Sequence, residues 1–416
     1  MPSEKLETSK VEHLLLLVGE NPLPNAIAGN LLVAPTGKIT LLHSTETVQA
    51  AQKLQGWFSK RGMNIELKKI EESNPVSITQ GVFERLDKRN ASSVGLNYTG
   101  GTKAMAVHAY RALEKWAKAK NLSPIFSYLD ARTLSLVIDP GDGESHDVQI
   151  EYVGRHVIME LRELMKLHGW LLSHPPVTTP VLPQSAKTLA DVYADIALAD
   201  QYKDWKHNHL NPKCRINPYA WNKNENTLRT VRLDFSSAPS AFTASLLDEL
   251  NQPNQSILIG DVMRVCGFTK AENVCEWLDG KWLEHHILDV LNPLKNKLHL
   301  HECALNVETK DVQFEVDVIA MRGYQLFAFS CSTDTDSKGG KQILKKKLFE
   351  AYIRARQLGG SEARVALVCA ANYPERIEAE MKRDVDQEGR IRVFGRPDLA
   401  NLNFHIEQWV LSQSGE

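Results

Sequence analysis

The chain has no long apolar run: its 416 residues hold nothing near the roughly 20 consecutive apolar positions that cross a bilayer. Leu14 to Val18 is far too short, and the start, Met1-Pro2-Ser3-Glu4-Lys5-Leu6-Glu7, is too polar for a secretion signal. No membrane contact is expected, and a cytoplasmic location is. An excess of either charge is also missing. With 49 Lys and Arg against 51 Asp and Glu, no global field recruits nucleic acid, so any such contact needs a local patch. The six cysteines, Cys214, Cys266, Cys275, Cys303, Cys331 and Cys369, show no CxxC pair and no Cys/His spacing suited to zinc. They read as reduced thiols. Internal repeats and low-complexity tracts are absent as well.

What is present is 43% hydrophobic residues, enough for the cores of two or three domains. From His13 to about Pro140, short apolar runs (His13–Val18, Ile39–His43, Asn64–Ile70, Val94–Tyr98, Ile125–Leu129, Leu134–Ile138) alternate with helical patterns at Thr45–Lys60, Ser77–Arg89 and Thr102–Lys120. That rhythm predicts an α/β, doubly wound parallel sheet. Ligands of such sheets sit at the carboxyl ends of the strands. The turns there carry Gly19, Asn21 and Pro22 after the first run, Ser44 and Thr45 after the second, and Thr99-Gly100-Gly101-Thr102-Lys103 after the fourth. A Gly-Gly turn opening a helix lets a backbone approach a ligand and aims free N–H groups at an anion. The same residues also suit an ordinary strand-to-helix turn, and Ser44 and Thr45 suit a helix cap. A P-loop is excluded, because Gly101 stands where its lysine belongs.

A helix is expected from about Val153 to Leu167, ending at His168-Gly169, followed by a proline-rich linker from Ser173 to Ser185. The predicted divisions are 1–170 for the first domain, 171–278 for a linker and helical, winged-helix-like region, and 279–416 for the last. In the middle region, short helices at Ser245–Leu250, Gly260–Cys266 and Lys270–Leu278 suit either a helix-turn-helix or plain packing. Between Tyr202 and Arg232, basic and aromatic residues interleave (Lys203, Trp205, Lys206, His207, His209, Lys213, Arg215, Tyr219, Trp221, Lys223). Such a stretch suits single-stranded nucleic acid, or aromatics docked on neighbouring domains.

From Lys281 the pattern becomes a helix (Trp282–Leu291), two paired strands (Leu298–Val307, Gln313–Ala320), a third (Gln325–Cys331), a helix (Gln342–Leu358) and a strand (Ala363–Cys369). Glu315 and Asp317, two apart on a strand, point to one face. Paired carboxylates suit Mg²⁺ or Mn²⁺, which lower the pKa of a bound water and clamp a phosphodiester oxygen. Glu284 is a candidate third oxygen donor.

Asn97 to Met105 (NYTGGTKAM), with the Gly19 to Asn25 turn, resembles the CARF sensor domain of CRISPR-associated proteins. Gly280 to Glu284, Glu315 to Val318 and Lys347 to Gly360 resemble the PD-(D/E)xK, restriction-endonuclease-like domain fused to such sensors. The resemblance implies a Rossmann-like sensor and a homodimer that binds a cyclic oligoadenylate, most simply cyclic tetra-adenylate, across a two-fold axis. It implies a metal-dependent endonuclease acting on DNA and/or RNA in antiviral defence. Ser44, Gly100, Gly101, Thr102 and Lys103 would face the ring.

The family's Glu-x-Lys after the third strand is here Ser330-Cys331-Ser332. Losing that lysine costs orders of magnitude in rate unless another group replaces it. The following helix offers Lys341, Lys347 and Glu350, within a Lys338–Lys347 cluster that opposes the helix dipole and suits a phosphate backbone or a solvated face. The alternatives are an inactive sensor that binds nucleic acid or a partner, and a ligand-controlled transcription regulator.

Overall fold

The computed structural model describes residues 4–88, 91–139, 149–154, 156–310, 314–337, 339–386 and 389–413. Arg89, Pro140, Gln313 and Lys338, each an end point of a sequence expectation, lie outside the described residues, as does Met1-Pro2-Ser3.

The N-terminal part runs α1 (Glu4–Thr8), β1 (Val11–Leu17), α2 (Leu23–Leu32), β2 (Val33–His43), α3 (Val48–Ser59), β3 (Asn64–Lys69), α4 (Pro75–Leu86), β4 (Val94–Asn97), α5 (Lys103–Ala119), β5 (Ile125–Asp130), β6 (Ser135–Asp139) and β7 (Gln149–Tyr152). The strand order is β3-β2-β1-β4-β5-β6-β7. The first five are parallel, a Rossmann-like half. β6 and β7 then add in antiparallel fashion, which corrects the expectation of a wholly parallel sheet. β1 runs into four consecutive leucines, Leu14 to Leu17, all buried because both faces of the strand are covered. α5 starts where the Thr102 side chain accepts the Met105 N–H, and it buries Met105, Ala109, Ala112, Leu113 and Trp116 at helical spacing.

The middle part holds α6 (Leu161–His168), α7 (Pro183–Ala194), α8 (Ile196–Trp205) continued by a π-helical turn (Lys206–Leu210), α9 (Asn211–Cys214), the hairpin β8 (Arg215–Asn217) and β9 (Ala220–Trp221), α10 (Glu225–Arg229), β10 (Arg232–Asp234), α11 (Ser240–Leu250), β11 (Ser256–Leu258), α12 (Ile259–Cys266) and α13 (Ala271–Glu276). Short helices beside the β10–β11 pair make the expected winged-helix-like arrangement. The helix expected from Val153 starts only at Leu161. The proline-rich segment is no free tether: bridges join Leu172 to Thr309 and Val177 to Leu305.

The C-terminal part has α14 (Trp282–Leu298), β12 (Glu302–Glu308), β13 (Glu315–Arg322), β14 (Gln325–Ser332), α15 (Gly340–Gly359), β15 (Arg364–Cys369), α16 (Pro374–Val385), β16 (Ile391–Phe394), α17 (Arg396–Leu399) and α18 (Leu402–Ser412). β12, β13 and β14 are antiparallel, and β14, β15 and β16 are parallel. α15 buries Leu344, Leu348, Ala351, Tyr352, Ala355 and Leu358, so its opposite stripe faces away from the core. Among the described residues, no helix is long and apolar enough to cross a membrane.

Candidate active site and sensor loops

β13 and β14 pair with Val318 opposite Phe329, so Ser330 falls beside Asp317. The Asp317 Oδ2 accepts the Cys331 backbone N–H at 2.6 Å and the Ser330 hydroxyl at 3.2 Å. From the other side Lys347 Nζ, on α15, donates to the Cys331 carbonyl at 3.2 Å. One peptide residue therefore ties the carboxylate to the lysine. A cleft of about 250 Å³ opens here, lined by Glu315, Asp317, Ser330, Lys347, Glu350 and Arg354 among others.

Three carboxyls crowd this place. Burial, then the charge of Asp317, push Glu284 well above the usual carboxylate range. Burial also raises Asp317, against the Cys331 N–H bond and the Lys347 charge that favour ionisation. Glu315 is raised by burial and by Asp317. It stands at the rim with its side chain open to solvent, so screening weakens that shift. Crowded hard oxygens with raised pKa values are a chemistry that a divalent cation relieves. Among the described residues no three His, Cys, Asp or Glu side chains are grouped to hold a metal ion. The fit is to a pair, Glu315 and Asp317, since Mg²⁺ is ordinarily held by one or two carboxylates with water and substrate phosphate.

The other expected groups separate. Lys341 pairs with Glu380 at 2.5 Å and Lys345 with the same carboxylate at 3.1 Å, outside the cleft lining. Glu350 lines the cleft. His285 and His286, next to Glu284, are core residues pushed down to about 4 by burial, and His285 Nδ1 accepts the Val181 N–H. Sequence reasoning did not single out Ser330 as a donor or Arg354 as a lining group. Arg354 was legible as the position seven after Lys347 on one helix face.

In the N-terminal sheet, the turns after β1, β2 and β4 meet because those strands are neighbours. The Gly19 and Gly100-Gly101 backbones touch so closely that a Cβ at Gly19 would lie 3.2 Å from the Gly101 nitrogen, and one at Gly100 would collide with the Leu17 carbonyl. Gly101 has φ of 74°, which favours glycine. Beneath the loop, the buried Asn25 amide donates to the Leu17 carbonyl. Gly101, Thr102, Lys103 and Thr45 are exposed. Ser44 and Thr99 are turned to structural work. The Ser44 hydroxyl accepts the Glu46 and Thr47 N–H groups, and the Thr99 hydroxyl bridges Asn97 and the Leu129 N–H. Asn21 caps the start of α2 through the Leu23 N–H, and Pro22 is buried beside it.

A Rossmann-like N-terminal fold is thus joined to a C-terminal sheet that carries a cleft of carboxylates and a lysine. Residues 271–413 match the family model of the Card1-like endonuclease domain. Protein VC1899 from Vibrio cholerae is similar over 97% of this chain and 99% of its own, at 16% identity and a TM-score of 0.70. Can2 from Sulfobacillus thermosulfidooxidans, solved in complex with cyclic tetra-adenylate, is similar over 96% and 99%, at 15% identity and a TM-score of 0.65. At these identities the likeness shows the fold. No curated protein matches the chain.

Proposed function

We propose that this protein is a cytoplasmic, homodimeric nuclease of CRISPR defence that a cyclic oligoadenylate switches on, and that it cuts DNA and/or RNA with Mg²⁺ or Mn²⁺. The observation that carries the catalytic part is the Cys331 peptide held between Asp317 and Lys347 in a cleft shared with Glu315 and Glu350. When bound at Glu315 and Asp317, the cation would supply an acidified water and charge neutralisation on the phosphate. The chain's own groups do the rest. The Cys331 N–H and Ser330 hydroxyl fix the direction of Asp317. Lys347 brings a positive charge to where the phosphorane's negative charge develops. Glu284 adds a carboxyl behind the pair, and Glu350 one on the helix side. Lys347 thus fills from a helix the place that Ser332 leaves empty on the strand.

The exposed Gly101, Thr102 and Lys103 beside Thr45 support the sensing part. They offer a helix N-terminus and a lysine charge to an anionic ligand, and the likeness to a fold solved with cyclic tetra-adenylate makes that ring the first to test. A two-fold ring needs two such surfaces, hence the homodimer.

The test is cleavage of supercoiled plasmid and single-stranded RNA with Mn²⁺, with and without cyclic tetra-adenylate or cyclic hexa-adenylate, beside Asp317→Ala. The reading expects ring-dependent cutting that Asp317→Ala abolishes while it still binds the ring. Undiminished cutting by Asp317→Ala would overturn the site. Ring binding with no cutting by the parent would overturn the activity.

A further inference from the structure

Most aromatics of the basic stretch leave the surface on folding. Tyr202, Trp205 and Phe235 stack on one another in the core, and Trp221 is covered by the Arg215 guanidinium 3.7 Å from its ring centre. The tip of the β8–β9 hairpin is the exception. Tyr219, in the turn, is 95% exposed, and Ile216, on β8, is 66% exposed.

That tip is rigid. The Tyr219 N–H donates to Asn217 Oδ1 at 2.9 Å, Arg215 Nη1 to the Pro218 carbonyl at 3.1 Å, and the Asn222 N–H closes the base on the Cys214 carbonyl at 2.8 Å. The hairpin is also anchored to the nuclease. Arg215 Nη2 binds Asp279 Oδ2 at 2.7 Å, and Lys206 binds the other oxygen at 3.1 Å. Asp279 lies in the turn that opens α14, whose first turn carries Glu284, and the adjoining Gly280 packs near Thr333, just past Ser332.

Charge sets the kind of partner. Between Lys203 and Arg232 the chain has seven Lys and Arg against Asp204 and Glu225; Lys203, Lys206, Arg215, Lys223 and Arg229 are each paired with a carboxylate, which leaves a modest positive excess around the hairpin. Lys223, beside the hairpin, stays 77% exposed despite its pair with Glu272. A solvent-facing aromatic on a hydrogen-bonded turn, with the exposed Lys223 beside it, suits stacking by unpaired bases.

We propose that the Arg215–Trp221 hairpin seats a single-stranded stretch of the nucleic-acid substrate, with Tyr219 stacking on a base and Ile216 packing beside it, at the edge of the cleavage site. This rests on the nuclease reading above. The hairpin holds the strand; the cleft groups cut it.

The test measures binding without cleavage: anisotropy of short labelled oligodeoxythymidine, oligouridine and a blunt duplex, in EDTA with saturating cyclic tetra-adenylate, for the parent, Tyr219→Ala and Tyr219→Trp. Tyr219→Ala is expected to weaken single-strand binding about tenfold, the loss of one stacked base, while Tyr219→Trp keeps it and duplex binding is unmoved. The thymidine and uridine arms show which strand chemistry the platform prefers. Equal single-strand binding by Tyr219→Ala overturns the hairpin's role alone. A Tyr219→Ala protein that light scattering shows has lost its oligomeric state makes the tip a subunit contact, and also overturns it. A parent that binds none of the three overturns the nuclease reading and the hairpin together.

Discussion

Cys331 contributes its main chain rather than its side chain. Burial holds its thiol well above the ordinary range, so the sulfur is inert, while its N–H and carbonyl position Asp317 and Lys347. The Glu315 and Asp317 pair was legible from a spacing of two on a strand. The reach of Lys347 was not, because spacing gives the face of a helix and not the extension of a four-carbon side chain. The crowding has a measurable consequence. Folded-state carboxyl pKa values raised at Glu284 and Asp317 favour the protonated acids. That part of stability is present below the ordinary carboxylate range and is lost as pH rises through the raised values. In EDTA at mildly alkaline pH, Glu284→Gln is therefore expected to melt above the parent, with the gap closing as the pH falls to the ordinary carboxylate range. Added Mn²⁺ should raise the parent's melting temperature and leave that of Asp317→Ala unmoved. A variant no more stable than the parent in EDTA would show that the carboxyls do not strain one another.

At the scale of elements, α15 carries two different lysine populations. Lys341 and Lys345 in its first turns meet Glu380 on α16, which answers the unfavourable helix dipole that the sequence alone could not balance. Lys347 turns to the cleft. Lys347→Met is expected to reduce cleavage about a hundredfold, the usual loss for a group that stabilises transition-state charge. Lys341→Met should cut normally and lose no more than about 1 kcal/mol, since its ion pair is partly exposed. Comparable losses of activity in both variants would dissolve the distinction. Strongly periodic elements such as α5 and α15 were legible from apolar spacing. α2 was not, because Asn21-Pro22-Leu23-Pro24-Asn25 reads as a turn, although proline is welcome in the first turn of a helix. β7, β16 and the short α17 carry too few residues for a period to show.

Over the whole molecule, the N-terminal and C-terminal sheets share one hydrophobic core. It runs from Leu14, Ile27 and Leu136 through Met159 and Leu164 to Tyr324, Leu326 and Val365. The sequence suggested separate units on a tether, because long-range packing leaves no mark on local periodicity and the prolines between Ser173 and Ser185 look like a spacer. That segment instead lies along β12, an edge position that tolerates proline. The seam is made by main chain as well as by apolar contact. The Met159 N–H donates to the Gly323 carbonyl at 2.9 Å, the Leu161 N–H to Glu302 at 2.8 Å, and Asn21, in the sensor's own turn, abuts Gly360 at the end of α15. A helix that carries Lys347 and Glu350 thus ends against a sensor loop, and a shift of one can move the other only if the seam stays closed. Gly323 tests this. It turns the β13–β14 hairpin at φ of 59°, and a Cβ there would collide with the Gly154 carbonyl oxygen across the seam. Gly323→Ala should leave the turns at Gly19 and Gly100, which it does not touch, able to bind cyclic tetra-adenylate, while cleavage no longer rises when the ring is added. Circular dichroism melting separates that outcome from unfolding. A folded Gly323→Ala protein with the parent's ratio of ring-stimulated to basal cutting would mean that the signal crosses elsewhere.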